Sequence, residues 1–425
     1  MRHAIMAALL LLLTAQGAQA APLTPAQARA VVDEAALLIA KNYVFPDRRA
    51  GIVAQLKQNE AAGRYDAVTS GDLVERLGAD MAAAGHDHHL WIHYDPGQNR
   101  AMRNPSHSQG NAFFEREAAR RNQGYEAMRI LPGNVRYVDL TGFIWGKNTA
   151  RTVADVARFL SDGDAIIVDL RENGGGSAEA VQALISYFLP PDNRVLMQFH
   201  EGANGAGKPT RVLTHLGGPR LTGKPLYVLT SGNTASAAEE FCYHVKLFHL
   251  GTLVGETTVG AANNNTLYPV GTDYVVSVST DRPEHPVSHT NWEGTGVPPD
   301  AAAPRAGALD QAQLLALKAL AAKGGDYAWP VAALEARLNP LTPDAAALAS
   351  YAGSYGERTI RLENGVLTYQ RQGRNATAMT LLAPDLFAFA NDEHTRARFR
   401  RENGLVTGFD IVRDDGETIA VARSP

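Results

Sequence analysis

Two stretches of this chain share one plan. They are "AIIVDLRENGGGSAEAVQALISYFL" at 165–189 and "PLYVLTSGNTASAAEEFCYHVKLF" at 225–248. Each begins with an unbroken apolar run, passes through a loop of glycine and small polar residues, and continues with helical spacing. An unbroken apolar run, unlike an alternating one, marks a strand buried on both faces, and such strands belong to parallel sheets covered by helices. A third run of this kind, "TLVGET", starts at Thr252, and "NVRYVDLTGF" with "ARTVADVARFLSDG" precede the first. Strand and helix therefore alternate from about residue 135 to 300, which predicts an α/β core.

The flanks read differently. Residues 24–84 predict helices. Thr24 precedes Pro25 as an N-cap, and Ala28, Val31, Ala35, Leu38 and Ile39 recur at helical spacing. "TSGDLVERLGADMAAAG" predicts another helix ending at Gly85, and "LWIHY" after it a strand. Residues 101–133 are polar, Arg-rich and loosely helical in pattern. "AAAPRAGALDQAQLLALKALAAK" predicts a helix closing the core. Beyond 341, short runs joined by "ENG" and "DDG" predict hairpins of a small β-rich domain. The expected organisation is a leader at 1–20, an N-terminal helical subdomain at 21–98, a core at 99–330 and a β-rich domain at 341–425.

The leader is "MRHAIMAALLLLLTAQGAQA": a basic start, an apolar run too short to span a bilayer, and a small-x-small site. It predicts export to a periplasm or secretion. No cysteine stands near the site, which argues against a lipid anchor. A formal net charge of -4, without charged blocks, argues against nucleic acid or a membrane surface as partner. The single cysteine, Cys242, has no internal disulfide partner and sits in an apolar helical stretch, where a buried core role is expected.

Chemistry concentrates in the two loops. Ser236 falls where a helix begins, at the positive end of its dipole, with the Ala237 N–H beside it. It reads either as an N-cap or as a nucleophile whose neighbouring amide stabilises an oxyanion. In "DLRENGGG" (169–176), Gly174, Gly175 and Gly176 let the backbone approach a ligand closely, or make a tight turn. A phosphate loop is disfavoured, since neither GxGxxG nor GK[ST] is present. "GHDHHLWIHY" (85–94) holds four of the 13 histidines. These offer a catalytic base, a metal site or ordinary histidines. A zinc site needs three or four convergent ligands, which His86, His88 and His89 are too close in sequence to supply alone.

"ILPGNVRYVDLTGF", "DLRENGGG", "TSGNTASAAEEF", "LVGETTVGAANN" and "NWEGTGVPPD" occur in this order and resemble the tail-specific protease family. The likeness covers roughly residues 25–320 and is to the branch similar to interphotoreceptor retinoid-binding protein and the tricorn core, which usually lacks a PDZ domain. It implies a crotonase/ClpP-like spiral of ββα units and a serine-type peptidase acting on peptides or unfolded proteins, with no cofactor and no metal. By motif, Ser236 matches the nucleophile, and Ala237 and Gly175 the oxyanion hole. The lysine base of the processing peptidases would fall at Ala261, so that dyad is absent. The tricorn-like histidine, in "DHHL", matches His89, and the supporting glutamate, in "EGTGVPPD", matches Glu293. His88 stands where an orienting serine is expected. Asp169, Arg171 and Asn173 are expected to fix the glycine loop. Glu256 is expected to be a structural acceptor near the site. Glu239 and Glu240 read as helix-face residues. Two rival readings remain: a non-catalytic binding protein for lipid or other apolar ligands on the same fold, and a zinc-dependent hydrolase centred on 86–93.

Overall fold

Helix α1 (Pro25–Asn42) starts where Thr24 and Gln27 cap each other: Gln27 N–H donates to Thr24 Oγ1 (3.3 Å) and Thr24 N–H to Gln27 Oε1 (2.9 Å). The computed structural model describes residues 22–66, 68–103, 115–202, 205 and 207–425. The leader expected at 1–20 lies outside them, as does part of the stretch expected to be loosely helical. Helices α2 (Pro46–Ala61) and α3 (Ser70–Gly85) follow. Then come strand β1 (Trp91–Tyr94) and the short α4 (Pro96–Arg103). Val32, Ile39, Leu73, Leu77 and Met81 bury one face of the helices against Leu90, Ile92, Val276 and Val278. That apolar face holds the helices on a sheet rather than on each other alone.

The described residues form two compact units. The first runs to Arg129 and from Arg136 to Arg305; the second joins Ile130–Val135 to Ala306–Pro425. The chain continues through β2 (Tyr125–Leu131) and β3 (Val135–Leu140), whose facing ends Ile130–Val135 belong to the second unit, then α5 (Thr149–Ser161), β4 (Ala165–Asp169) and α6 (Ala178–Ile185) of the first. Next come β5 (Val195–Glu201), β6 (Lys208–Arg211), β7 (Leu226–Thr230), α7 (Ala237–Leu247) and β8 (Thr252–Gly255). β9 (Asn264–Val270), β10 (Tyr274–Glu284) and β11 (Ala301–Ala302) complete the unit. One sheet has the order β11-β8-β7-β4-β3-β2, and the other β1-β10-β5-β6 with β9 also on β10. β4, β7, β8 and β11 are mutually parallel, and every residue of β4 and β7 is buried. Because β4 and β7 are parallel neighbours, the loops leaving their carboxyl ends emerge side by side. Ligand sites of open α/β sheets form in that position.

Two elements differ from expectation. Tyr125–Leu131 is a strand, not helical. Glu126 and Arg129 are exposed but so are the apolar Met128 and Ile130, so no alternation marks the strand, and the Pro132-Gly133 turn returns it to β3. The β9–β10 hairpin is not among the elements that the sequence singles out, yet β10 pairs with β1, β5 and β9.

The second unit has three helices, α8 (Ala308–Ala321), α9 (Ala328–Leu338) and α10 (Ala345–Tyr351), before an eight-stranded antiparallel meander. The "ENG" turns work as expected: Asn364-Gly365 and Asn403-Gly404 both take positive φ, the requirement of a tight two-residue hairpin. Ser424 N–H donates to Ser354 O (2.8 Å), which links the two ends of the meander into a barrel-like sheet. Among the described residues no helix is long and apolar enough to cross a membrane.

Tyr351, Tyr355, Phe387, Phe399 and Phe409 form the barrel core, with Phe399 in ring contact with the other four. Phe399→Ala is expected to destabilise this unit by about 3–5 kcal/mol. Denaturant unfolding followed by aromatic fluorescence or circular dichroism would measure the loss.

Candidate active site

Ser236 stands between β7 and α7 with φ 54 and ψ -121, a conformation that L-residues seldom adopt. An ordinary N-cap has extended backbone, so simple capping does not account for this geometry. The glycine loop presses against it. A Cβ on Gly175 would lie 2.7 Å from Ser236 Cβ and 3.2 Å from Ala237 N. Only glycine permits that approach, and φ 111 at Gly175 reinforces the requirement.

Asn173 ties the two loops together. It is fully buried; its Nδ2 donates to Leu140 O (2.8 Å), and its carbonyl accepts from Ala235 N–H (3.1 Å). Its Oδ1 accepts from Gly175 N–H (2.9 Å), so that amide is already paired. Among the described residues the N–H groups of Gly176 and Ala237 have no acceptor, and both residues line one cavity with Ser236. Gly174 is open to solvent. Asp169, on β4, accepts from Tyr137 Oη (2.7 Å) and pairs with Arg171 (2.5 Å). Arg171 in turn donates to Arg305 O (2.6 Å), and its carbonyl accepts from Ser231 Oγ (2.6 Å). Glu256 accepts from Gly232 N–H (3.2 Å) and Arg305 N–H (3.1 Å).

Glu239 is not a solvated helix-face residue. Its side chain is fully buried and accepts four hydrogen bonds. Oε2 takes Ser236 N–H (2.9 Å) and Ala261 N–H (2.8 Å); Oε1 takes Thr258 Oγ1 (2.5 Å) and Gly260 N–H (2.7 Å). Burial pushes its carboxyl up, and these four donors pull it back. Glu240 is buried as well and faces the cavity beside Ser236.

The histidine segment forms a second cluster. Asp87, His89 and Glu293 bring one ligand atom each within 4.8 Å of one another, so they could hold a metal ion as well as relay a proton. Asp87 is buried; it accepts from His89 N–H (2.8 Å) and Asn263 Nδ2 (3.0 Å). Glu293 Oε2 accepts from Ala262 N–H (2.6 Å) and Asn263 N–H (2.9 Å). Glu293 Oε1 and His89 Nδ1 are buried and have no partner among the described residues. Burial, then the Asp87 charge, pushes the Glu293 carboxyl up to about 7. Burial also holds the His89 imidazole below its ordinary value, with Asp87 opposing, so the ring is neutral at neutral pH. His86 and His88 are exposed and stand outside the cluster, and His93 bonds Gln98 (2.7 Å). The 260–263 segment joins the two clusters: Gly260 and Ala261 bind Glu239, while Ala262 and Asn263 bind Glu293. Asp87 and Glu239 were not legible as site residues. The only sequence signal for them is their place within "DHHL" and one helical turn inside α7.

The sequence profile of peptidase family S41 matches residues 134–303, and that of the N-terminal domain of peptidase S41 in eukaryotic IRBP matches residues 16–125. A carboxyl-terminal-processing protease of Synechocystis sp. is 29% identical over 172 residues, covering 40% of this chain and 38% of that protein. The chloroplastic carboxyl-terminal-processing peptidase 2 of Arabidopsis thaliana is 26% identical over 189 residues, covering 43% of this chain and 35% of that protein. The match thus spans well under half the length of either relative. Among solved structures, the photosystem II D1 C-terminal processing protease superposes with a TM-score of 0.40 at 15% identity, over 65% of this chain and 92% of that one. The fold is mixed α/β with a barrel-like C-terminal sheet. Residues 134–303 thus match the peptidase family S41 domain and residues 16–125 its N-terminal domain, and together these matches support a tail-specific protease family.

Two outcomes follow for the buried acids. Glu239→Gln leaves at least one buried amide N–H facing an NH2 group, and is expected to cost on the order of 2–4 kcal/mol in thermal or denaturant unfolding. Glu293 binds a proton more tightly when folded, so its contribution to stability is present below pH 4.5 and is lost as pH rises through about 7. Wild type should lose on the order of 2–3 kcal/mol across that window relative to Glu293→Gln. Parallel unfolding curves between pH 4.5 and 8 would measure the difference.

Proposed function

We propose that this chain is an exported serine-type peptidase that hydrolyses peptide bonds in peptides or unfolded proteins. The observation that carries the reading is Ser236, held in a strained turn against Gly175 and open to a cavity shared with Gly176 and Ala237. A serine on a sharp strand-to-helix turn, flanked by unpaired backbone amides, has what acyl transfer needs. Export rests on the leader sequence. The core reads as the crotonase/ClpP-like spiral expected of the family.

In this reading Ser236 Oγ attacks the scissile carbonyl and His89 takes its proton. Burial favours this role, because a base must be neutral to accept the proton. The proton returns from His89 to the leaving amine, and a water molecule then releases the acyl group by the same route. Glu293 and Asp87, each with an oxygen within 4.8 Å of a ring nitrogen, stabilise the imidazolium. The Ala237 N–H, at the first position of α7, donates to the developing oxyanion. Gly175 supplies the close approach, and the adjacent Gly176 N–H is the second donor, since the Gly175 N–H is bound to Asn173. Asp169, Arg171 and Asn173 fix the glycine loop.

A fluorophosphonate probe tests the reading directly. Wild type should label and hydrolyse an unfolded protein substrate. Ser236→Ala should abolish labelling, and both Ser236→Ala and His89→Ala should lower hydrolysis at least 1,000-fold, about 4 kcal/mol in transition-state stabilisation. A chelator should change neither activity. Failure of folded wild type to label or to hydrolyse would sink the peptidase reading and leave binding of an apolar ligand as its successor.

A further inference from the structure

Three buried atoms at the histidine cluster have no hydrogen-bond partner among the described residues: Glu293 Oε1, His89 Nδ1 and Asn263 Oδ1. Each can offer a lone pair. Asp87 is 3% exposed and Asn263 1%. Asn263 Nδ2 donates to Asp87 Oδ2 (3.0 Å) and its N–H to Glu293 Oε2 (2.9 Å), so one residue clamps both acids. His89 Nδ1 and Glu293 Oε1 do not bond each other, although Asp87, His89 and Glu293 bring one ligand atom each within 4.8 Å of one another. No lysine or arginine forms an ion pair with either carboxyl among the described residues.

A set of one imidazole and two carboxylates suits zinc. Calcium and magnesium prefer sites of oxygen alone, whereas imidazole favours the borderline divalent cations. Zinc bonds of about 2.0–2.2 Å place ligand atoms about 3.3–3.6 Å apart around a tetrahedron, so a modest rotation of these side chains would close them on an ion. Two carboxylates and a neutral imidazole also balance its charge. His89 and Glu293 are only half-buried, which leaves an ion a way in.

We propose that Asp87, His89 and Glu293 form a zinc site that switches the enzyme off reversibly. The site stands on its own geometry; the inhibition rests on His89 being the base. A neutral imidazole has one lone pair, and zinc that takes it leaves none to accept the Ser236 proton. Zinc also occupies Glu293, the acid that would stabilise the imidazolium. The metal-free protein is therefore the active form, the reverse of a zinc-dependent hydrolase. Zinc competes with proton transfer, not with substrate.

Equilibrium dialysis against zinc chloride, with bound metal counted by atomic absorption, tests the site without a substrate. Wild type should bind zinc here, and Ser236→Ala should bind it as tightly. Asn263→Ala removes only the clamp on Asp87 and should weaken binding about 10–100-fold, the usual cost of a lost outer partner. His89→Ala and Glu293→Gln each remove a ligand and should weaken it further. His394→Ala should bind as wild type does, although His394 beside Asp414 (2.6 Å) is an exposed alternative. Should a variant fail to fold, the visible spectrum of cobalt(II) on wild type reports the ligand set without any substitution, and a spectrum of oxygen ligands alone would overturn the site. With an unfolded protein substrate, saturating zinc should lower wild-type kcat at least about tenfold and leave KM, and a chelator should restore it. Undiminished binding in His89→Ala or Glu293→Gln, or no binding by wild type that labels with fluorophosphonate, would overturn the site and leave the peptidase reading intact. Activation by zinc would overturn the inhibitory role. Zinc binding at these residues in folded wild type that neither labels nor hydrolyses would uphold the site and overturn the peptidase reading, and the inhibition with it.

Discussion

A single buried carboxylate organises the loops of the first unit. Glu239 accepts from Ser236 N–H at the start of its own helix and from Thr258, Gly260 and Ala261 on the segment that follows β8. Hydrogen bonds to a charged acceptor contribute about 1.5–3 kcal/mol each, enough together to hold a strained residue whose conformation costs about 1–3 kcal/mol. The positive φ of Ser236 is thus a consequence of this acid as much as of the glycine loop. Thr258 extends the network, since its Oγ1 also accepts from Val297 N–H (2.7 Å) and so reaches the "EGTGVPPD" segment.

The same loop segment couples the serine to the histidine cluster. Two of its amides are committed to Glu239, and the next two to Glu293. Moving the segment would strip donors from two buried acids at once. That double commitment makes it a rigid link rather than a passive connection. The backbone of Ala261 serves Glu239, and the base of the proposed mechanism comes from the turn before β1.

Much of this was legible in the sequence because local rules and the fold agree. The unbroken apolar runs at 165–170 and 226–230 are fully buried parallel strands, and their loops meet as parallel neighbours must. Thr24, the "ENG" turns and the buried Cys242 follow from their immediate neighbours. What escaped is what distant chain decides. The pair Glu239-Glu240 has the signature of a solvated face. It is buried because segments 258–263 and 283–292 cover α7. Asp87 stands among histidines that draw the eye, yet it is the acid, not His86 or His88, that the turn carries inward. β2 exposes apolar Met128 and Ile130 beside charged Glu126 and Arg129, so local spacing carries no period-two signal for it.

The turn itself separates His88 from His89. α3 ends at His86 in the left-handed region, φ 48, which reverses the chain. Asp87 Oδ1 then accepts the His89 N–H, Leu90 N–H bonds Asp87 O, and Leu90 is buried. Within so tight a turn, burying Asp87 and Leu90 sends His88 to solvent and leaves His89 against Glu293. Ser277 Oγ donates to the His89 carbonyl (2.5 Å) and pins that outcome to β10. Among the described residues the cluster so formed has two carboxyls, a neutral imidazole and no ion-paired cation, which favours retention of a proton. Glu293, pushed up to about 7, is the group that holds it. In the proposed mechanism the ring needs an ionised carboxylate to accept from its Nδ1–H and to stabilise the imidazolium. The burial that makes the cluster costly therefore also sets the pH at which its support switches on.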